Sequence, residues 1–134
     1  MKILALETSA KSVSAAVTEN GAVLASAYQN RGLTHSVTLM PLIDGMLRTA
    51  GLSLDDIGLI AAANGPGSFT GLRIGLAAVK GLAFPHDTPC AAVSTLEALA
   101  YSAAVEGTLL CALDARRGEV YWAGFFAADG AVER

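Results

Sequence analysis

The sequence predicts an α/β fold in which helices flank a mixed sheet, followed by the start of a second domain of the same kind. Three observations support this. Strand-like runs open the chain around an Asn-Gly turn, and helix-like stretches then alternate with an apolar strand. Residues 5–17 and residues 112–124 also share an apolar run ending in an acid, a polar turn and a second strand. We therefore divide the chain into an N-terminal domain, 1–93, and an incomplete second domain, 94–134.

The first domain opens with three predicted strands, over residues 2–6, 12–19 and 22–28. Asn20-Gly21 between the last two is a strong hairpin signal, because a tight primed turn needs positive φ at both positions. A fourth strand is predicted over residues 57–63, IGLIAAA. Its apolar residues barely alternate with polar ones, which is typical of a strand covered on both faces.

Two helices are predicted in this domain. Thr34 fits the N-cap position of a helix over residues 35–50, which Gly51 closes. Pro41 and Gly45 inside it predict a kink or a weak segment. The second helix runs from about Thr70 to Phe84 and stops at Pro85.

The predicted second domain begins with a helix over residues 94–104, where Ser94 and Glu97 form a capping box. Strands are predicted over residues 109–115 and from Glu119 to Ala127, and no further strand is predicted after them.

Composition indicates a globular cytoplasmic protein, with 53% apolar residues, 16% charged residues and no apolar run long enough for a membrane span. The net charge of −3 argues against a protein that binds nucleic acid through its own surface. Cys90 and Cys111 lack metal-ligand spacing and are predicted to be reduced and mostly buried. His35 and His86 stand far apart, so no metal site is predicted.

The glycine-rich stretch over residues 64–82, NGPGSFTGLRIGLAAVKGL, fails two phosphate motifs. The spacing from Gly65 to Gly71 is one residue too long for a P-loop, and Leu72-Arg73 replace its Lys-Ser/Thr pair. The dinucleotide fingerprint also fails, because three residues instead of two separate its last glycines. Backbone N–H groups at the helix start, with the hydroxyls of Ser68 and Thr70, remain a candidate anion site.

The helix that follows is apolar over most of its circumference. Gly71, Gly75, Ala78 and Leu82 form one stripe, and Leu72, Leu76, Val79 and Ala83 form the adjoining one, leaving Arg73 and Lys80 as a narrow polar edge. A helix of this kind is buried on more than one side. We predict that a partner's helix docks against its small residues, and packing inside the domain alone is the alternative.

Catalytic candidates are few. Glu7 and Asp114 end equivalent strands of the repeat and could face one cleft, but no nucleophile or metal ligand stands beside them. His35 is a weak candidate for a general base, since a histidine at a helix start is more often a capping or surface residue.

Four stretches in order, MKILALETSAKSVSAAV, GPGSFTGLRIGLAAVKGLA, VSTLEALA and ALDARRGEVYWAGF, resemble the TsaB/YeaZ family, a bacterial branch of the glycoprotease (peptidase M22-like) group. The resemblance implies an actin/Hsp70/sugar-kinase-like fold of two RNase H-like domains. It also implies a non-catalytic role in making threonylcarbamoyladenosine at position 37 of ANN-decoding tRNAs. The members of this family continue well past residue 134.

The resemblance further implies the partners: the catalytic paralogue TsaD, the ATPase TsaE, a homodimer when TsaD is absent, and tRNA only through the complex. No cofactor is implied. Pairing through the two N-domain helices assigns interface roles to Leu39, Ile43, Met46, Gly71, Gly75, Leu76, Val79 and Leu82.

A nucleotide-dependent transferase or hydrolase remains the alternative, using Glu7, Asp114 and the loop over 65–71. ETSAKS departs from the Asp-x-Gly-Thr pattern of nucleotide-binding relatives, which argues against ATP binding by this chain. The older peptidase label finds no support in these residues. The candidate nucleotide- or anion-binding residues are Glu7, Thr8, Lys11, Gly65, Gly67, Ser68 and Thr70.

Overall fold

The computed structural model describes residues 1–32 and 34–134 of the chain. The first sheet has five strands in the order β3-β2-β1-β4-β5. They are β1 (Lys2–Glu7), β2 (Val13–Glu19), β3 (Ala22–Gln29), β4 (Ile57–Ala63) and β5 (Cys90–Val93). β1 pairs antiparallel with β2 and parallel with β4, so the sheet is mixed, as predicted. The short β5 was not predicted.

The β2–β3 hairpin turns at the predicted residues. Asn20 and Gly21 have φ of 51° and 80°, the left-handed conformation that a two-residue primed turn needs. This turn sets the pairs Glu19–Ala22 and Thr18–Val23, and a bulge then shifts the register by one residue, so that Val17 of β2 faces Ala25 of β3.

Three helices accompany the strands: α1 (His35–Thr49), α2 (Phe69–Ala83) and α3 (Thr95–Ser102). Short 3-10 turns lie over Leu54–Asp56 and Phe84–His86. α1 continues as one helix through Pro41 and Gly45, so neither residue ends it. Packing of the apolar side of α1 on the sheet stabilises the helix through these poor helix formers.

The main core lies between the first sheet and the helices α1 and α2. Leu4 and Val17 on the sheet and Leu39 and Ile43 on α1 are almost fully buried, together with Ile60 of β4. The opposite face of β4 is only half-buried at Leu59 and Ala61. Ala63 on that same face is buried, so the predicted cover is complete on one face of β4 and partial on the other.

The second sheet has three strands, β6 (Gly107–Arg116), β7 (Glu119–Ala128) and β8 (Ala131–Glu133), in that order. α3 packs on one face of it, where Leu96 and Phe125 are buried. The expectation that no strand follows β7 was wrong. Asp129 and Gly130, with φ of 52° and 75°, form another two-residue turn of positive φ and start β8. The strands of the first sheet all come from residues up to 93, and those of the second sheet all come from residues after it. The division of the chain into two RNase H-like domains stays a prediction.

Candidate functional site

The loop after β1 lies directly against the glycine-rich start of α2. Thr8 is buried, and its hydroxyl donates a hydrogen bond to the carbonyl oxygen of Gly71 at 2.8 Å. The backbone N–H of Ser68 donates to the carbonyl oxygen of Ser9 at 2.7 Å. These two bonds fix the position of the α2 N-terminus on the end of β1.

Three glycines make this close approach possible. A Cβ at Gly67 would lie 2.6 Å from the carbonyl oxygen of Ser9. A Cβ at Gly71 would overlap the carbonyl oxygen of Thr8, and one at Gly75 would overlap the Thr8 hydroxyl. The neighbour for which the glycines leave room is therefore the chain's own loop, which corrects the prediction that they admit a partner's helix.

The other residues predicted to contact a partner are mostly buried as well. Relative exposure is at most 8% for these side chains of α1 and α2: Leu39, Ile43, Met46, Val79 and Leu82. They form the core between the helices and the sheet. Leu76, which is 38% exposed, is the member of the predicted set that reaches the surface. Packing inside the domain, the alternative stated above, accounts for the rest.

The exposed side of α2 and the residue that follows it carry three large apolar side chains interleaved with two basic ones, a set that we call the outer stripe. It consists of Phe69, Arg73, Leu76, Lys80 and Phe84, spaced three or four residues apart along one side of the helix. Phe69 and Phe84 are 73% and 88% exposed. The Arg73 guanidinium lies 5.4 Å from the centre of the Phe69 ring, a cation–π distance.

α1 also carries exposed apolar residues. Val37 and Met40 are 66% and 45% exposed. Sequence reasoning missed Phe69 because it began the helix at about Thr70, and it placed Phe84 at the helix end, outside both stripes. Their spacing from Arg73 and Lys80 was the signal that could have found them.

The two carboxylates of the repeat have the same local role. A Glu7 carboxylate oxygen accepts the backbone N–H of Ser9, and an Asp114 carboxylate oxygen accepts that of Arg116 at 2.7 Å. Each acid thus binds an N–H two residues further on, Glu7 in the loop after β1 and Asp114 at the bulge near the end of β6. The similarity of the two hairpins therefore extends from the sequence to a hydrogen bond.

Two groups of the candidate anion site, the Ser68 hydroxyl and the Gly65 carbonyl, already form hydrogen bonds inside the protein. The N–H of Gly71 donates to the Ser68 hydroxyl at 3.2 Å, and the Gly65 carbonyl accepts the N–H of Thr95 at 2.8 Å. Lys11, in the loop after β1, and Thr70, in the first turn of α2, are both exposed. Anion or nucleotide binding at these residues stays a prediction.

His35 has a structural partner. Its Nε2 lies 2.8 Å from the carbonyl oxygen of Ala10. A carbonyl oxygen only accepts, so Nε2 carries the proton and donates. His35 thereby links the start of α1 to the loop after β1, which favours the structural interpretation over a general base.

Among residues 1–32 and 34–134, no three His, Cys, Asp or Glu side chains come close enough together to hold a metal ion. Both cysteines are free; Cys111 is buried as expected, whereas Cys90 is exposed on β5. Within the same described residues, no helix is long and apolar enough to cross a membrane.

Comparison with known proteins gives consistent matches. The family model described as "TsaD: tRNA N6-adenosine threonylcarbamoyltransferase" matches residues 23–132. The tRNA threonylcarbamoyladenosine biosynthesis protein TsaB of Escherichia coli K12 is 40% identical over 128 residues, covering 93% of this chain and 55% of the relative. TsaB of Bacillus subtilis 168 is 36% identical over 135 residues, covering 100% of this chain and 59% of the relative. The chain thus spans little more than half the length of these relatives.

A solved structure and a related enzyme also match. YeaZ from Pseudomonas aeruginosa superposes with a TM-score of 0.90 at 37% identity, covering 98% of this chain and 63% of that one. The tRNA N6-adenosine threonylcarbamoyltransferase of Brachyspira hyodysenteriae is 35% identical over 118 residues, covering 76% of this chain and 35% of the enzyme.

Proposed function

The chain belongs to the TsaB/YeaZ family, and we propose that it is a non-catalytic scaffold subunit in the formation of N6-threonylcarbamoyladenosine at position 37 of ANN-decoding tRNAs. The family match over residues 23–132 and the YeaZ superposition confirm the predicted family and its actin-like fold. The cytoplasm, where tRNA is modified, is the compartment that this role implies.

We propose that the outer stripe binds the paralogue TsaD. This proposal rests on one observation: the large apolar side chains of Phe69 and Leu76 on α2, and of Phe84 directly after it, face solvent at helical spacing. Contiguous exposed apolar surface marks interaction sites, and burying one Phe side chain contributes about 2–3 kcal/mol. Arg73 and Lys80 between them favour a partner whose matching surface is acidic.

The choice of TsaD follows from common ancestry. The family model that matches this chain is the one described for TsaD, so the two proteins share a domain type. A symmetric dimer uses the same surface patch on both subunits, and we propose that pairing with TsaD keeps this arrangement. The same outer stripe then supports a homodimer when TsaD is absent. TsaE joins the pair, and tRNA enters through the complex.

The scaffold role is supported by what the candidate catalytic groups do. Glu7 and Asp114 accept local backbone N–H groups, and His35 donates to the Ala10 carbonyl. Each of these bonds positions a turn or a helix start. The groups that an acid–base mechanism would use thus already have structural partners.

Substitutions on the outer stripe test the proposal. Phe69→Glu and Phe84→Glu place a carboxylate on exposed positions, so the fold survives while the apolar contact is lost. Val23→Glu on β3, where Val23 is 64% exposed, is the matched control. We expect the two stripe variants to bind TsaD at least tenfold more weakly, and the control to bind normally, in calorimetric titrations.

Unchanged TsaD affinity in both stripe variants, with circular dichroism showing intact folds, would refute pairing through this surface. Gly75→Glu and Val79→Glu are unsuitable tests, because both positions are buried and a charge there would unfold the protein.

A second candidate is a nucleotide-dependent transferase, favoured by the match to the Brachyspira enzyme. It would use Glu7, Asp114 and the loop over 65–71. It predicts that the isolated chain binds ATP with Mg²⁺ and that Lys11→Ala and Ser68→Ala weaken this binding. The scaffold proposal predicts no heat of ATP binding in calorimetry.

A further inference from the structure

A histidine and an aspartate connect the end of α2 to the segment that precedes β4. His86 Nδ1 lies 3.2 Å from an Asp55 carboxylate oxygen, which is an ion-pair distance when the imidazole is protonated. The two residues are distant in sequence and belong to the 3-10 turns Phe84–His86 and Leu54–Asp56. The charge of a histidine changes between about pH 5 and about pH 8, so the attraction within this pair depends on the pH.

The turn that carries Asp55 is fixed to the rest of the fold. The Leu52 N–H donates to the Leu47 carbonyl of α1 at 2.9 Å. The Ser53 N–H donates to the Asp56 carboxylate at 2.8 Å, which closes the turn. Asp55 therefore presents its carboxylate from a firm support.

The turn that carries Phe84 has fewer attachments. The Phe84 side chain is 88% exposed, so packing contributes little to its position. The backbone bonds at this end of α2 run from the Thr88 N–H to the Ala83 carbonyl at 3.1 Å and from the Asp87 N–H to the Phe84 carbonyl at 3.5 Å. The His86 imidazole adds a side-chain contact to a different part of the chain. The pair thereby restricts the turn that holds the last member of the outer stripe.

The charged groups around His86 leave Asp55 as its partner. Both residues line a groove between α1 and the end of α2. The other two charged side chains of this lining, Asp44 and Arg48, lie 2.6 Å apart and pair with each other. The charged side chains that neighbouring elements carry outside the lining are those of Asp56, Asp87, Arg73 and Lys80. Asp55 is therefore the group placed to respond when His86 gains or loses its proton.

We propose that the His86–Asp55 pair makes binding through the outer stripe pH-sensitive, tightening it as the pH falls from about 8 to about 6. This inference rests on the proposed function, because it concerns the same surface. Protonated His86 attracts Asp55 and holds the turn that carries Phe84, and this attraction is lost as the pH rises. A side chain already restricted to its bound position loses less conformational entropy on binding. The expected gain in affinity is about threefold, since exposed ion pairs contribute little.

The experiment is a set of calorimetric titrations with TsaD at about pH 6 and about pH 8, and the readout is the ratio of the two affinities. Titrating groups of TsaD contribute equally to every variant, so a difference between variants arises from this chain. We expect His86→Gln and Asp55→Asn each to lose the threefold part of the ratio. Asp87→Asn removes a neighbouring carboxylate outside the groove, so it is the matched control and should keep the wild-type ratio.

Two results would overturn the proposal. One is a wild-type ratio that His86→Gln leaves unchanged. The other is a ratio that His86→Gln abolishes and Asp55→Asn preserves, because the imidazole would then act on TsaD directly and not through Asp55.

The stripe variants separate this inference from the proposed function. Normal TsaD binding by both Phe69→Glu and Phe84→Glu would exclude pairing through the outer stripe, and the pH effect with it. Weak binding by these variants, together with either of the two results above, would exclude the pH effect alone.

Discussion

Replacing Gly75 by Ala tests the closeness of α2 to the loop after β1. Alanine is normally favoured over glycine inside a helix by about 1 kcal/mol, because glycine loses more backbone freedom on folding. At Gly75 the new methyl group would overlap the Thr8 hydroxyl and would lie 3.3 Å and 3.4 Å from Thr8 Cβ and Cγ2. Gly81 lies in the same helix with open space around it, so Gly81→Ala is the matched control.

The magnitude follows from three contributions. Overpacking a tight site costs about 1–3 kcal/mol. Moving the Thr8 hydroxyl away breaks its 2.8 Å bond to the Gly71 carbonyl, which costs about 1 kcal/mol more. The higher helix propensity of alanine offsets about 1 kcal/mol of this cost. Gly75→Ala should therefore lower the free energy of unfolding by about 1–3 kcal/mol, whereas Gly81→Ala should raise it by up to about 1 kcal/mol.

The assay is urea unfolding of both variants, followed by far-ultraviolet circular dichroism. Thermal midpoints provide a second measurement, with a shift of about 3 °C expected per kcal/mol for a domain of this size. Combining Gly75→Ala with Thr8→Ala should show a strongly non-additive change, since removing the hydroxyl also removes the overlap. Equal stabilisation by Gly75→Ala and Gly81→Ala would refute the close contact.

Three further predictions concern the same elements. Gly71→Ala should destabilise more than Gly75→Ala in the same urea assay, because its methyl group would overlap the backbone carbonyl of Thr8, which cannot rotate away. Ser94→Ala should cost about 1 kcal/mol in urea unfolding, because the Ser94 hydroxyl accepts the N–H of Glu97 at the start of α3; Ser102→Ala, at the other end of α3, should cost less. The Ser53 N–H and hydroxyl donate to the Asp56 carboxylate and lower the pKa of Asp56, so the stability it contributes is present at neutral pH and is lost as the pH falls below the ordinary carboxyl range. The stability difference between wild type and Asp56→Asn should accordingly shrink as the pH falls from about 5 to below the ordinary carboxyl pKa of about 3.9, and a difference independent of pH would contradict this account.

Local signals predicted most elements correctly. The Asn20-Gly21 turn defined the first hairpin, and the strand predicted over residues 57–63 has those bounds in the structure. Ser94 is the N-cap of α3, and its hydroxyl accepts the Glu97 N–H, which is one of the two bonds of the predicted capping box. Such signals depend on neighbours within a few residues, so the sequence contains them in full. β5 and β8 were missed because strands of four and three residues owe their existence to the strand beside them.

Three features could be predicted from the sequence by itself: the alternation of strands and helices, the repeated hairpin with an acid after its first apolar run, and the family. Only the tertiary structure decided which side of α2 is free. A helix of glycine, alanine and leucine has several apolar stripes of similar character, and burial depends on what packs against each one. The loop that contains Thr8 packs against the side of α2 that carries Gly71 and Gly75, and Phe69 and Phe84 are exposed to solvent. The same dependence on distant neighbours exposes Trp122, because no described strand or helix covers the outer face of β6 and β7.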